Sequence, residues 1–256
     1  MKYGLDFHNK IVLVTGAAQG IGKSISIGFA SLGATVLLVD LEQNERRMVE
    51  IVNTADDVGG CAELFCCDIT NDASVDKMLS DIKHQYGRVD ILINNAGIYR
   101  TGPSVEYSYE NWDRTSAINV RSHFFMSTKI AKHFMIPAGR GRIIFMSSTA
   151  AHFGVPEAVA YGVSKASTLQ MTKALAAEWA KYNIHVNAVN PFFVATDLIA
   201  FFDEKTVESI AQKSPLKRIA NPEDIVGGVL FLCSDLANYI TGVHLDVDGG
   251  RTIAGS

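Results

Sequence analysis

The stretch Ile11-Val-Leu-Val-Thr15-Gly16-Ala-Ala-Gln19-Gly20-Ile21-Gly22 decides how this chain folds. Ile11–Thr15 is short, β-branched and poorly alternating, which reads as a strand covered on both faces. The glycines after it allow a sharp turn and a close backbone approach to a phosphate. A helix predicted over 20–32 would then present free N–H groups and its positive dipole end. The spacing is Gly-x-x-x-Gly-x-Gly rather than Gly-x-Gly-x-x-Gly. The neighbouring Lys23-Ser24 comes close to a phosphotransfer loop, but that loop requires glycine where this chain has Ala17. Lys23 is therefore expected on the surface of the first helical turn.

Working outward, the same alternation repeats. Apolar runs at Thr35–Asp40, Cys61–Cys67, Val89–Asn94, Arg142–Ser147, His185–Asn190 and His244–Val247 are separated by helical patterns over 42–54, 72–86, 106–136, 161–182 and 222–234. Strand and helix in strict alternation predict an α/β fold, a doubly wound parallel sheet of about seven strands with helices on both faces. No repeat or linker marks a second domain, so residues 1–256 are expected to form one. The apolar stretch Phe192–Phe202 admits two readings, a flap over a site or an amphipathic helix on the core.

Composition excludes several classes. Hydrophobic residues make up 48%, charged residues 20%, and the net charge is −4 with no basic stripe, so neither disorder nor a nucleic-acid surface is expected. The first ten residues carry charges and no apolar run, and no stretch is long enough to span a membrane. Cys61, Cys66, Cys67 and Cys233 fit neither a zinc motif nor a disulfide framework. They read as buried free thiols of a cytoplasmic protein, and any chemistry must proceed without a protein-bound metal.

Asp40 ends the second strand about twenty residues beyond the glycine turn. A carboxylate there can accept hydrogen bonds from ribose hydroxyls and would repel a 2′-phosphate, and Gln19 is neutral where a cation would favour that phosphate. Both point to NAD rather than NADP. Arg46 and Arg47, which could soften the preference, read as an exposed helix face.

Among eight tyrosines, only Tyr161 has a lysine four residues on, Lys165, which puts the two on one helix face. A phenol near pH 10 is a poor base at neutrality, and a neighbouring ammonium would favour its phenolate. Thirteen residues earlier, Ser148 ends a strand at the edge where ligands of open parallel sheets bind. There it could donate a hydrogen bond to a developing alkoxide.

Taken together these residues resemble the short-chain dehydrogenase/reductase family over almost the whole chain. The likeness rests on Thr15–Gly22, Asp68 in Cys67-Asp-Ile-Thr70, Asn94–Gly97, Asn119, Ser148 with Tyr161 and Lys165, Thr196, and Asp248–Gly250. It implies a Rossmann-type fold and catalytic roles for Asn119, Ser148, Tyr161 and Lys165. It implies NAD held by Gly16, Gln19, Gly20, Ile21, Gly22, Asp40, Asp68, Ile69, Asn95, Ala96, Gly97, Tyr161, Lys165, Pro191, Val194 and Thr196. It also implies hydride exchange with a small-molecule secondary alcohol or ketone, such as a polyol or sugar, and assembly as a homotetramer or homodimer. Phe124, Phe125, Leu175 and Trp179 are candidates for that interface or for the core. The substrate pocket is expected to include Ser148, His152, Phe153 and Phe192. The alternatives are an NADP(H)-dependent ketoacyl or carbonyl reductase of the same family, or a dinucleotide-binding protein without catalysis. In one respect the chain departs from the family: Phe192 follows Pro191 where the family commonly has glycine. Phenylalanine does not take glycine's positive φ easily, so either the backbone differs or the ring lines the pocket.

Overall fold

The computed structural model describes residues 4–197 and 202–254. Seven strands form one parallel sheet: β1 (Ile11–Thr15), β2 (Thr35–Asp40), β3 (Cys61–Cys66), β4 (Ile91–Asn94), β5 (Gly141–Met146), β6 (Ile184–Pro191) and β7 (His244–Val247). Their spatial order is β3-β2-β1-β4-β5-β6-β7. The order reverses between β1 and β4, and at such a switch point the connecting helices diverge to opposite faces, leaving a crevice at the carboxyl ends of the strands.

Burial follows the pleat. Val12 and Val14 of β1 enter one core with Ile25 and Phe29, while Ile11 and Leu13 enter the other with Ile82 and Ile130. The first core lies under α1 (Gly20–Ala30), α2 (Glu45–Asp57) and α9 (Pro222–Cys233). The second lies under α3 (Asp72–Tyr86), α5 (Ser122–Ile130) and α7 (Val159–Trp179). Leu175 and Trp179 belong to this second core, whereas Phe124 and Phe125 face outward.

Local chemistry sets the boundaries. Asn71 caps α3 by accepting from Ser74 N–H, and Gly87 ends it in the left-handed region. Asn221 and Asp224 form a capping box at α9, with Pro222 in its first turn. The helix expected over 106–136 starts at Tyr109 because Ser108 caps it. It runs as α4 (Tyr109–Ser116), a π-turn over Ala117–Arg121, α5, a second π-turn over Ala131–Met135, and α6 (Ile136–Ala138). Residues 42–44 form a 3-10 turn ahead of α2. The short α8 (Glu204–Gln212) follows the apolar stretch. Of Phe192–Phe202, residues 198–201 lie outside the described residues. Phe192–Asp197 is not an α-helix, and Val194 forms a parallel bridge to Ala220.

One expectation fails. Cys67 and Cys233 are buried, but Cys61 and Cys66 are exposed, because β3 is an edge strand paired on one side only. Among the described residues no helix is long and apolar enough to cross a membrane.

Candidate active site

A groove of about 320 Å³ follows the carboxyl ends of the strands. At its centre the turn after β1 packs directly on the loop after β4. Gly16 has φ +64°, and a Cβ on it would lie 2.7 Å from Ala96 Cα. Gly22 is tighter still: a Cβ there would meet the Gly16 carbonyl oxygen at 2.1 Å. Thr15 Oγ1 accepts from the N–H groups of Asn95 and Ala96, and Asn95 Nδ2 donates to the carbonyls of Thr15 and Gly16. Asn95 thus binds the two loops together. Among the described residues no side chain caps the start of α1, and its own first turn holds no acid, so its free N–H groups and positive end are presented at the groove.

Toward β2 and β3 the groove is lined by Asp40, Leu41, Asn44, Asp68 and Ile69. The Asp40 carboxylate accepts from the N–H groups of Ala18 and Leu41 and from Asn44 Nδ2. Toward β5 and β6 it is lined by Asn95, Ala96, Gly97, Tyr161, Lys165, Pro191 and Thr196. Gly22 and Val194 are not on its surface: Gly22 is buried against Gly16, and Val194 faces a neighbouring pocket. Lys23 is exposed. Arg46 and Arg47 are exposed, as expected, and the Arg47 guanidinium also reaches Gln19 and pairs with Asp197 at 3.2 Å. A turn that no Cβ could enter, an uncapped helix start and an acid at the end of β2 suit an extended dinucleotide with anionic phosphates and ribose hydroxyls.

Tyr161 and Lys165 project from one face of α7. Lys165 is buried; its Nζ lies 5.5 Å from the Tyr161 ring centroid and donates to the Met146 carbonyl at 2.8 Å. Ser147 Oγ holds the Lys165 carbonyl from the end of β5. Ser148 caps the short turn Thr149–Ala151, accepting from Ala150 N–H, which leaves its hydroxyl proton free to donate. Burial pushes the Tyr161 phenol up to about 12, partly opposed by the Ser148 hydroxyl. Burial also draws the Lys165 ammonium down to about 8. The expected lowering of the phenol by the lysine is therefore not realised here. The ammonium lies beside the ring and is bound to a carbonyl, and desolvation dominates.

Asn119 sits on the first π-turn. Its amide is fully engaged, donating to Ile98 O and Ser164 Oγ and accepting from Ile98 N–H. Ser164 in turn donates to the Tyr161 carbonyl, so Asn119 ties the loop after β4 to α7. The buried His123 was not anticipated from sequence. Its Nε2 bonds the Ala96 carbonyl at 2.7 Å, and burial draws its pKa down to about 3, so the ring is neutral. Nothing in its local sequence distinguishes it from a core residue.

Beside the groove, and sharing Tyr161 with it, lies a smaller pocket lined by Ser148, Phe153, Phe192, Phe193, Val155 and Tyr99 among others. Phe192 is not among the residues with positive φ, so the departure after Pro191 resolves as a ring in the pocket wall. His152 is not in that wall. Its Nε2 lies 3.0 Å from Asn190 Nδ2 and 3.3 Å from Asp246 Oδ1, drawn to the acceptor at the ends of β6 and β7.

A family model described as enoyl-(acyl carrier protein) reductase matches residues 16–252. The chain is 37% identical over 245 residues to a D-threitol dehydrogenase of Mycolicibacterium smegmatis, covering 95% of this chain and 93% of the relative. Two solved structures are also close. A Beutenbergia cavernae protein described as an NAD(P)-dependent gluconate 5-dehydrogenase, with NADP bound at low occupancy, has TM-score 0.92 and 33% identity and covers 98% and 99% of the two chains. A 3-ketoacyl-(acyl-carrier-protein) reductase from Brucella melitensis complexed with NADH has TM-score 0.89 and 33% identity and covers 96% and 99%.

Proposed function

The chain belongs to the short-chain dehydrogenase/reductase family, an oxidoreductase family acting on CH–OH groups with a nicotinamide dinucleotide, and from that premise we propose that it is an NAD-dependent dehydrogenase of a small secondary alcohol or its ketone. The observation that carries the reading is the position of Tyr161, which lines both the dinucleotide groove and the adjoining pocket, with Ser148 in that pocket and Lys165 buried behind. When bound, the nicotinamide supplies the hydride acceptor in oxidation and the donor in reduction. Ser148 donates a hydrogen bond to the substrate oxygen. Tyr161 takes the alcohol proton in one direction and returns it in the other. Its phenol holds its proton up to about pH 12, so it is ready as the acid for ketone reduction. Acting as the base requires positive charge close to the ring beyond what Lys165 exerts in the cofactor-free protein, and a bound nicotinium would supply it. Asn119 acts as a positioning residue through Ile98 and Ser164.

NAD is favoured over NADP by the Asp40 carboxylate at the groove surface, where a 2′-phosphate would meet it. The cofactor contacts proposed are those of the groove, from Gly16 to Thr196, with Gly22 acting through packing. The protein is read as a single cytoplasmic domain that works as a homotetramer or homodimer.

Absorbance at 340 nm with NAD or NADP and a set of alcohols tests this directly. Tyr161→Phe should lower kcat at least about 10³-fold while NADH still binds, judged by fluorescence. Near-normal turnover in that variant would remove Tyr161 from the chemistry. Asp40→Ala should narrow the NAD/NADP ratio in kcat/KM about tenfold or more. An unchanged ratio would reassign cofactor choice to other residues.

A further inference from the structure

We propose that the substrate is an uncharged secondary alcohol or ketone carrying one apolar group about the size of a single ring, and not a polyol or a sugar acid. The inference rests on the oxidoreductase reading and adds the class of molecule that the adjoining pocket admits.

Tyr99, Ser147, Ser148, Thr149, Tyr161 and Thr196 bring hydroxyls to that pocket. Phe153, Phe192, Phe193 and Val155 give it an apolar wall. Among the described residues no Asp, Glu, Lys, Arg, His, Asn or Gln lines it. A polyol or sugar acid carries a hydroxyl on nearly every carbon, and those buried against the rings, beyond reach of these hydroxyls, would lose their water without gaining a partner.

The volume agrees. The pocket measures about 120 Å³, against the roughly 150 Å³ of an apolar protein cavity that stays dry and takes up benzene. One six-membered ring or a short branched alkyl group is the size that fits.

A guanidinium lies behind two of these rings. The Arg251 guanidinium lies 4.8 Å from the Phe153 ring centroid and 5.9 Å from that of Phe192, and Arg251 is not among the lining residues. It stacks on two wall rings, which suits a role in fixing the rings. Phe192 stands where the family commonly has glycine, so this wall belongs to the chain's own specificity.

The test measures kcat/KM with saturating NAD for two matched sets. One set holds cyclohexanol and 1-phenylethanol; the other holds glycerol, D-threitol and gluconate. Acetoacetyl thioester is assayed separately for reduction with NADH. Burying one ring against the wall should favour the first set by about 100-fold. Phe153→Ala, which removes a ring from between the pocket and Arg251, should cut the preference over gluconate at least about tenfold, with NADH binding retained. Should that variant not fold, the wild-type panel decides alone. Equal or better turnover of the polyols, gluconate or the thioester overturns the substrate class and leaves the oxidoreductase reading standing. Absence of turnover with every alcohol and with the matching ketones plus NADH overturns both.

Discussion

Lys165 is a cation held away from water, 4% exposed, with Nζ on the Met146 carbonyl. Burial draws its pKa from 10.5 to about 8. Between those values the unfolded chain keeps a proton that the folded chain has released, so wild-type stability rises with pH across that window. Below about 8 the folded chain carries the whole cost of the desolvated charge, roughly 3 kcal/mol. Lys165→Met removes that cost and also a hydrogen bond, and only the first effect depends on pH. The difference in Tm, variant minus wild type, should therefore fall by roughly 5 °C or more between pH 7.5 and pH 10. Scanning calorimetry of the cofactor-free proteins measures it, and a difference constant across that range would show that the ammonium is solvated. A charge retained at such a cost in a cleft is a mark of function, because packing alone would favour methionine at the same place.

At the level of elements, much was legible because the signals were local. The runs Ile11–Thr15, Thr35–Asp40 and His244–Val247 are strands with those limits, since a buried parallel strand announces itself by its own apolar residues. The i, i+4 spacing of Tyr161 and Lys165 placed both on one face of α7, and both line the groove. What stayed hidden depends on neighbours remote in sequence. The two π-turns that interrupt the long helix leave no mark on its apolar periodicity, yet one of them carries Asn119. His152 looked available for substrate, but Asn190 and Asp246, 38 residues or more away in sequence, hold its ring elsewhere. Arg47 is on an exposed helix face as its sequence suggests, but its contacts with Gln19 in the glycine turn and with Asp197 are set by the fold. The direction of the Tyr161 shift was hidden for the same reason: a lysine one turn away is visible in the sequence, whereas the Tyr99 ring 4.8 Å from that of Tyr161, and the desolvation around both, come from another loop.

For the whole molecule, both faces of the sheet are already covered, so apolar residues on the outer sides of the helices find no cover within one chain. Phe124 and Phe125 of α5 are 39% and 40% exposed, while Met126 and Ile130 of the same helix are in the core. Their rings meet edge to face at 5.2 Å, with the Arg121 guanidinium 5.0 Å from the Phe125 ring. Single exposed aromatics are ordinary, but two side by side form a contact ready for a partner surface. Assembly through α5 would cover them, and the proposed homotetramer or homodimer predicts a mass in solution that is two or four times 27.8 kDa. Replacing both rings by glutamate would place two carboxylates in a dehydrated contact, at a cost of several kcal/mol for each. Light scattering should then show the Phe124→Glu/Phe125→Glu protein dissociating into smaller species at micromolar concentration, with NADH binding per chain preserved. A wild-type mass of one chain over that range, or a charged variant that still assembles fully, would take this face of α5 out of the interface.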